Sequence, residues 1–392
     1  MNAKTSIFDR KVNRIGSGCE KWDLMEASFG IPVTEGLPMW VADTDFLAPD
    51  PVQEVLSNLQ KHGVFGYHGD ETRYHDAVVN WMLERHGWVV DPASIFTVHG
   101  LVNGFALCVD AFTEPGDSIV LFTPVYHAFE RVIRAADREV TSCPLVNENG
   151  RYVLDLKDAA RRLTGREKML VVCSPHNPGG RVWHRHELEA LAEFAREHDL
   201  LLLSDEIHHD LVFPGHHHIP MAKIDGIRDR LIMMTAATKT FNIAGCHCGN
   251  VIIDADKLRK RFAKRLMALG ITGDLFGIEM TRAAYSPLSI PWLEAQISYI
   301  DRNREILDTG VNAIPGVTSM HLESTYLAWV DFSGTGLDPD EISAKVNDNA
   351  KIAANSGRKF GLGGSHFMRF NLGAHRSIVE GAVERLHSAF RI

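Results

Sequence analysis

The chain has 392 residues, 45% hydrophobic and 23% charged, enough to bury a large core in what reads as two domains. Its formal net charge of −9 excludes the basic footprint of a nucleic-acid-binding protein. The start, Met1 to Phe8, lacks a signal-peptide apolar core, and no apolar run reaches the roughly 20 residues of a membrane span. A cytoplasmic protein without membrane contact is expected.

In chain order, Ile95-Phe96-Thr97-Val98 reads as a strand, followed by Gly100-Leu101-Val102-Asn103-Gly104 and an apolar helical run. A helix opening there would offer free backbone N–H groups to a phosphate, with Leu101, Val102 and Asn103 in its first turn. Pro124-Val125-Tyr126 then leaves an aromatic ring just past a further apolar stretch.

Met169 to Cys173, Leu200 to Leu203 and Leu231 to Met234 are short continuous apolar runs, the pattern of strands buried on both faces. Glu187 to Ala195 has helical periodicity, so strand, helix and strand follow one another and parallel βαβ units are expected. Each run leads into a polar string: Asn177-Pro178-Gly179, Ser204-Asp205-Glu206-Ile207-His208 and Thr238-Lys239-Thr240-Phe241-Asn242. These strings would emerge at the carboxyl ends of different strands, where open α/β sheets place ligands.

Two other strings invite a metal reading. Cys246-His247-Cys248 has no second pair at ribbon or finger spacing, and Gly215-His216-His217-His218 reads as a solvated loop, so no metal site is expected. The six cysteines do not form a disulfide framework and are expected to be reduced.

Pro287 to Pro291 punctuates the chain, Trp292 to Asp308 is helix-like, Asp340-Glu341-Ile342 can open a helix, and His366 to Asn371 reads as a strand. The expected division is an N-terminal segment over 1–45 packing with a small C-terminal domain over 289–392, and a large domain over 46–288 between them.

A lysine, a carboxylate and an amide on three successive strand ends match the needs of pyridoxal 5'-phosphate (PLP). The Lys239 amine would hold the cofactor aldehyde, Asp205 would keep the pyridine nitrogen protonated, and Asn177 would hydrogen-bond the ring oxygen.

With Lys21-Trp22-Asp23, Leu37 to Asp43, His62 to Tyr67, Arg85 to Trp88, Pro175 to Pro178, Lys239 to Gly245 and Arg369-Phe370-Asn371 added, the chain resembles fold-type I PLP enzymes of the class I/II aminotransferase superfamily. Within it the match is to the MalY/PatB cystathionine β-lyase (C–S lyase) branch. The resemblance implies an α/β architecture: a large domain with a mainly parallel seven-stranded sheet between helices, plus a smaller α+β domain.

It also implies roles. Lys239, Asp205 and Tyr126 would be catalytic, Tyr126 stacking on the cofactor. His208, Thr238 and Asn177 would contact the cofactor, and Arg369, Trp40 and Asn177 the amino-acid substrate, with Arg369 gripping its α-carboxylate through a planar fork. Tyr67 would reach the cofactor phosphate of the neighbouring subunit, making a homodimer with shared active sites.

The implied reaction is β-elimination from cystathionine or a related cysteine S-conjugate, giving thiol, pyruvate and ammonia. An aminotransferase of class I/II acting on an L-amino acid is the alternative enzyme reading, and a lyase-fold protein with an additional regulatory binding role is the other. The chain departs from the family pattern at Ala236, where relatives often place a serine, and at His247, where many aminotransferases carry an arginine.

Overall fold

A computed structural model describes residues 6–391. Seven strands build the principal sheet: β1 (Ile95–Val98), β2 (Ser118–Thr123), β3 (Glu139–Pro144), β4 (Glu167–Cys173), β5 (Leu201–Asp205), β6 (Leu231–Thr235) and β7 (Gly249–Ile252). They lie in the order β1-β7-β6-β5-β4-β2-β3. The five strands from β6 to β3 are mutually parallel, while β7 runs antiparallel to both β6 and β1.

The apolar runs form strands because both of their faces are covered. Leu170, Val172, Leu202 and Met233 pack into one hydrophobic cluster, whereas Met169, Val171, Leu203, Ile232 and Met234 pack into another on the opposite face. With a side-chain period of two, only an uninterrupted apolar run can supply both. The helix over Arg185–Glu197 connects β4 to β5 as the βαβ pattern requires.

Register decides where the polar strings emerge. Cys173 pairs with Asp205 and Asp205 with Met234, so the segments after β4, β5 and β6 leave the sheet at one edge. Because β7 runs backwards, its amino end, preceded by His247, comes to that edge too.

A second sheet follows a long helix over Ile290–Asn312. It is antiparallel throughout, and its strands are β8 (Thr318–Ser319), β9 (Leu327–Asp331), β10 (Asn355–Ser356) and β11 (Phe367–Asn371), in the order β8-β9-β11-β10. Pro339–Ala344 is helical and starts from a capping box between Asp338 and Glu341. Near the amino end, Leu37–Pro38 pairs in parallel with Ile352–Ala353, and the Arg385 guanidinium donates to the Glu35 carbonyl at 2.7 Å. Together these elements form an α/β architecture with a large mixed sheet domain flanked by helices and a smaller α+β domain.

Candidate active site

The carboxyl edge of the large sheet borders a cavity of about 320 Å³ whose lining includes Lys239, Asp205, Asn177, His208, Tyr126 and Thr238. Lys239 sits in the loop after β6, and its Nζ donates to the Ala42 carbonyl at 2.6 Å. Burial brings its ammonium down to about 8 against the opposing pull of Asp43, and the Arg369 charge adds to the lowering. The same Ala42 carbonyl accepts from the Tyr326 hydroxyl at 2.9 Å. Asn242 fixes that strip from the other side, bonding Thr44 and Phe46 backbone groups.

Asp205 ends β5 with 5% of its surface exposed. Its Oδ1 accepts from the Ile207 backbone N–H at 3.1 Å, and burial raises its carboxyl to about 7 despite that bond. A carboxylate this deep calls for a cationic partner from outside the chain. His208 lies beside it, edge-on to Tyr326 with ring centroids 6.0 Å apart. Its Nδ1 is buried without a partner, and burial, helped by Lys239 and Arg369, holds its pKa well below the usual histidine range, so the ring is neutral.

Arg369, on β11, is 2% exposed and has no carboxylate partner among the described residues. Its Nη1 donates to Asn177 Oδ1 at 3.0 Å and its Nη2 to the Trp40 carbonyl at 2.9 Å, while Nε has no partner. Its guanidinium sits 5.0 Å from the Phe360 ring centre. Trp40 thus enters through its backbone; its indole donates instead to the Lys21 carbonyl.

Opposite these groups, the helix over Leu101–Phe112 begins at Gly100, whose φ of +81° is a conformation that favours glycine. No side chain caps this end, so its first N–H groups are left free, and Leu101 and Val102 line the cavity beside His99 and His247. Asn103 does not line the cavity, although its Oδ1 is buried and unpartnered. Thr238 brings a hydroxyl to the same cavity, where Ala236 has none to offer.

Tyr67 stands apart, fully exposed in a stretch without regular structure, with Val64 and Phe65 also exposed. Three lining residues were not singled out in the sequence. Glu20 directly precedes the Lys21-Trp22-Asp23 string without being part of it, Phe129 lies three residues past Tyr126, and Cys173 reads as strand core.

The histidine loop differs from expectation. His216, His217 and His218 border a separate cavity of about 280 Å³ with His86, His209 and Asp210, and His218 is buried, bonding Glu206 Oε2 at 2.8 Å. Ligand atoms of His86, His209 and Asp210 lie within 4.8 Å of one another, the metal-ligand spacing found among the described residues. The Asp210 oxygens, however, already accept from Trp81 at 3.1 and 3.2 Å, His86 at 2.9 Å and Thr240 at 2.9 Å. Asp210 is a buried anion satisfied by protein donors, tying the loop after β5 to the one carrying Lys239. The sulfurs of Cys246 and Cys248 join no such group.

A family model for class I and II aminotransferases matches residues 45–386. The chain belongs to that family. The chain is similar to cystathionine β-lyase PatB of Bacillus subtilis (strain 168), 38% identical over 386 residues that span 97% of this chain and 99% of the relative. Cystalysin from Treponema denticola, whose crystal structure contains PLP, superposes with a TM-score of 0.93 at 35% identity, covering 97% of this chain and 98% of the other. The arginine–pyruvate transaminase AruH of Pseudomonas aeruginosa is 27% identical over 365 residues, 91% of each chain.

The chain is therefore a fold-type I PLP-dependent enzyme closely related to the MalY/PatB branch, acting on amino-acid or thiol substrates. The cavity fits the cofactor on its own terms: a lysine amine, a buried carboxylate lacking a cation, and a helix end with free amides all face it. Among the described residues, no helix is long and apolar enough to cross a membrane.

Proposed function

We propose that this enzyme is a carbon–sulfur β-lyase that cleaves cystathionine or a related cysteine S-conjugate to thiol, pyruvate and ammonia. The observation that carries the reading is the 38% identity to a cystathionine β-lyase along nearly the whole chain, against 27% to a transaminase. The charge of the cleft supports it. Among the described residues, Lys239 is the one lysine or arginine lining the cavity, and Arg369 reaches it from behind Asn177, so with Arg369 given to the α-carboxylate a dicarboxylate aminotransferase substrate would lack a further cation for its distal carboxylate.

In this reading Arg369 receives the substrate α-carboxylate, replacing the counter-ion its buried guanidinium lacks. Asn177 is oriented by accepting from Arg369, which leaves its Nδ2 to donate into the cleft. Bound PLP supplies the electron sink that lets the substrate lose its α-proton and then a thiolate from Cβ. Lys239 Nζ, brought to about 8, takes the α-proton as general base. Asp205 would hold the proton on the cofactor ring nitrogen, and Tyr126, neutral His208 and Thr238, which line the same cavity, would contact the ring. The backbone N–H groups of Leu101 and Val102, which line the cavity, and that of Asn103 in the same first turn would receive the phosphate.

We further propose a homodimer in which Tyr67 completes the partner's site. Full exposure of Tyr67 beside exposed Val64 and Phe65 supports an interface there. The organisation that goes with it is a segment over 1–45 packed on a small domain over 289–392, with a large domain over 46–288, and the pairing of Leu37–Pro38 with Ile352–Ala353 supports that packing.

The test is to incubate the PLP-loaded enzyme with L-cystathionine and measure pyruvate and free thiol. Equal amounts of both, absent with Lys239→Ala, are expected. A keto acid that retains the sulfur would overturn the reading.

A further inference from the structure

We propose that Glu20 recognises a positive charge on the sulfur substituent, making cysteine S-conjugates whose leaving thiol carries a cation the preferred substrates. This rests on the β-lyase reading.

The cleft is electrically ordered along its depth. Asp205 lies buried on its wall, Arg369 lies buried behind the lining residue Asn177, to which it donates, and Lys239 is half-buried. Glu20 lines the same cavity but is exposed, so it belongs to the mouth. It makes no ion pair or side-chain hydrogen bond among the described residues, whereas its chain neighbour Lys21 is buried and committed to Asp45 at 2.9 Å. The Glu20 charge reaches the reacting region, raising the pKa of both Tyr126 and Lys239 in part.

An amino acid held by its carboxylate at Arg369, with its amine on the cofactor and its α-proton facing Lys239, would extend Cβ and sulfur toward the open side. Whatever the sulfur carries then passes Glu20. The other titratable groups on the cavity wall have other places. Asp205 and His208 lie buried, and His99 and His247 flank the free helix end. Glu20 is the one carboxylate at the mouth among the described lining residues. A cation there gains a charge-assisted bond, a neutral group gains nothing, and an anion is repelled.

The experiment compares kcat/KM for thiol release by the PLP-loaded dimer from three probes of similar size: S-(2-aminoethyl)-L-cysteine, S-propyl-L-cysteine and S-carboxymethyl-L-cysteine. The expected order is cation, neutral, anion, with about a 10-fold advantage of the first over the second, mostly in KM, shrinking as salt is added. Glu20→Gln should collapse that ratio about 10-fold, and Glu20→Lys should invert the order in favour of the carboxymethyl substrate. Thiol release from all three probes without charge preference, or a preference that survives Glu20→Gln, overturns this assignment alone. Release from none of them overturns the β-lyase reading and this assignment with it.

Discussion

Arg369 Nη1 donates to Asn177 Oδ1 at 3.0 Å, joining a strand of the small sheet to the loop after β4 across 192 residues of sequence. The pair sets the floor of the cleft, because one bond orients both a guanidinium and an amide. Burial lowers the Arg369 pKa to about 10 against the pull of Tyr126 and Tyr326, and the group remains charged at neutral pH. Its charge is costly until an anion arrives.

Replacing this guanidinium should therefore separate function from stability. Arg369→Met is expected to lower kcat/KM by about 100-fold or more while leaving the melting temperature at or above that of the parent protein. Arg369→Lys should recover little of the loss, since an ammonium cannot reproduce the two-pronged donor. Steady-state kinetics and thermal melts on the same preparations check both.

Lys239 must be neutral to capture the cofactor aldehyde. The rate at which the cofactor-free protein takes up PLP should climb with pH and level off above about 8, where the amine is deprotonated. Stopped-flow absorbance across pH gives the midpoint. A midpoint near that of free lysine would show that burial does not activate the amine.

Asp205 links cofactor binding to stability. Its folded pKa, about 7, lies above the unfolded value of 3.8, so the folded, cofactor-free protein holds an extra proton between these limits. The stability associated with that proton is fully present below pH 3.8 and is lost as pH rises through about 7, by roughly 4 kcal/mol in all. A protonated ring nitrogen paired with Asp205 removes the loss. The gap in melting temperature between PLP-loaded and cofactor-free protein should widen as pH rises through this window.

Asp210 is a structural anion. Burial would raise its carboxyl, yet His209 and His86 hold it well below the usual carboxylate range. Asp210→Ala leaves the Trp81, His86 and Thr240 donors buried without an acceptor and should cost about 3–5 kcal/mol, read by urea denaturation. Chelators should leave the stability of the parent protein unchanged.

Much of the fold was legible because parallel strands buried on both faces leave an unmistakable mark. The runs at Met169, Leu200 and Leu231 each became a strand within a residue or two of the expected limits, and Asn177, Asp205 and Lys239 met at one edge because register follows from those runs. Contacts made by backbone or across long separations left no such mark. Trp40 acts through its carbonyl, which any residue could supply, and Glu20 reaches the cleft only through the path of the N-terminal segment. The histidines at 216 to 218 looked solvated because nothing local reveals that Glu206 captures the last of them.

If Tyr67 completes the partner's site, two inactive variants should rescue each other. Equal mixing of Tyr67→Ala and Lys239→Ala, dissociated and reassociated, should restore about a quarter of parental activity, because half the dimers are mixed and each of those holds one intact site. No recovery, with dimers confirmed by sedimentation, would place Tyr67 outside the shared site.

The central claim is elimination rather than amino transfer, and it is tested most directly by counting turnovers of L-cystathionine per Lys239 with no 2-oxo acid present. Elimination returns the cofactor to its starting state, so many equivalents of thiol and pyruvate should form at a steady rate. A halt after one equivalent of product, relieved by adding a 2-oxo acid, would contradict the account and make the enzyme an aminotransferase.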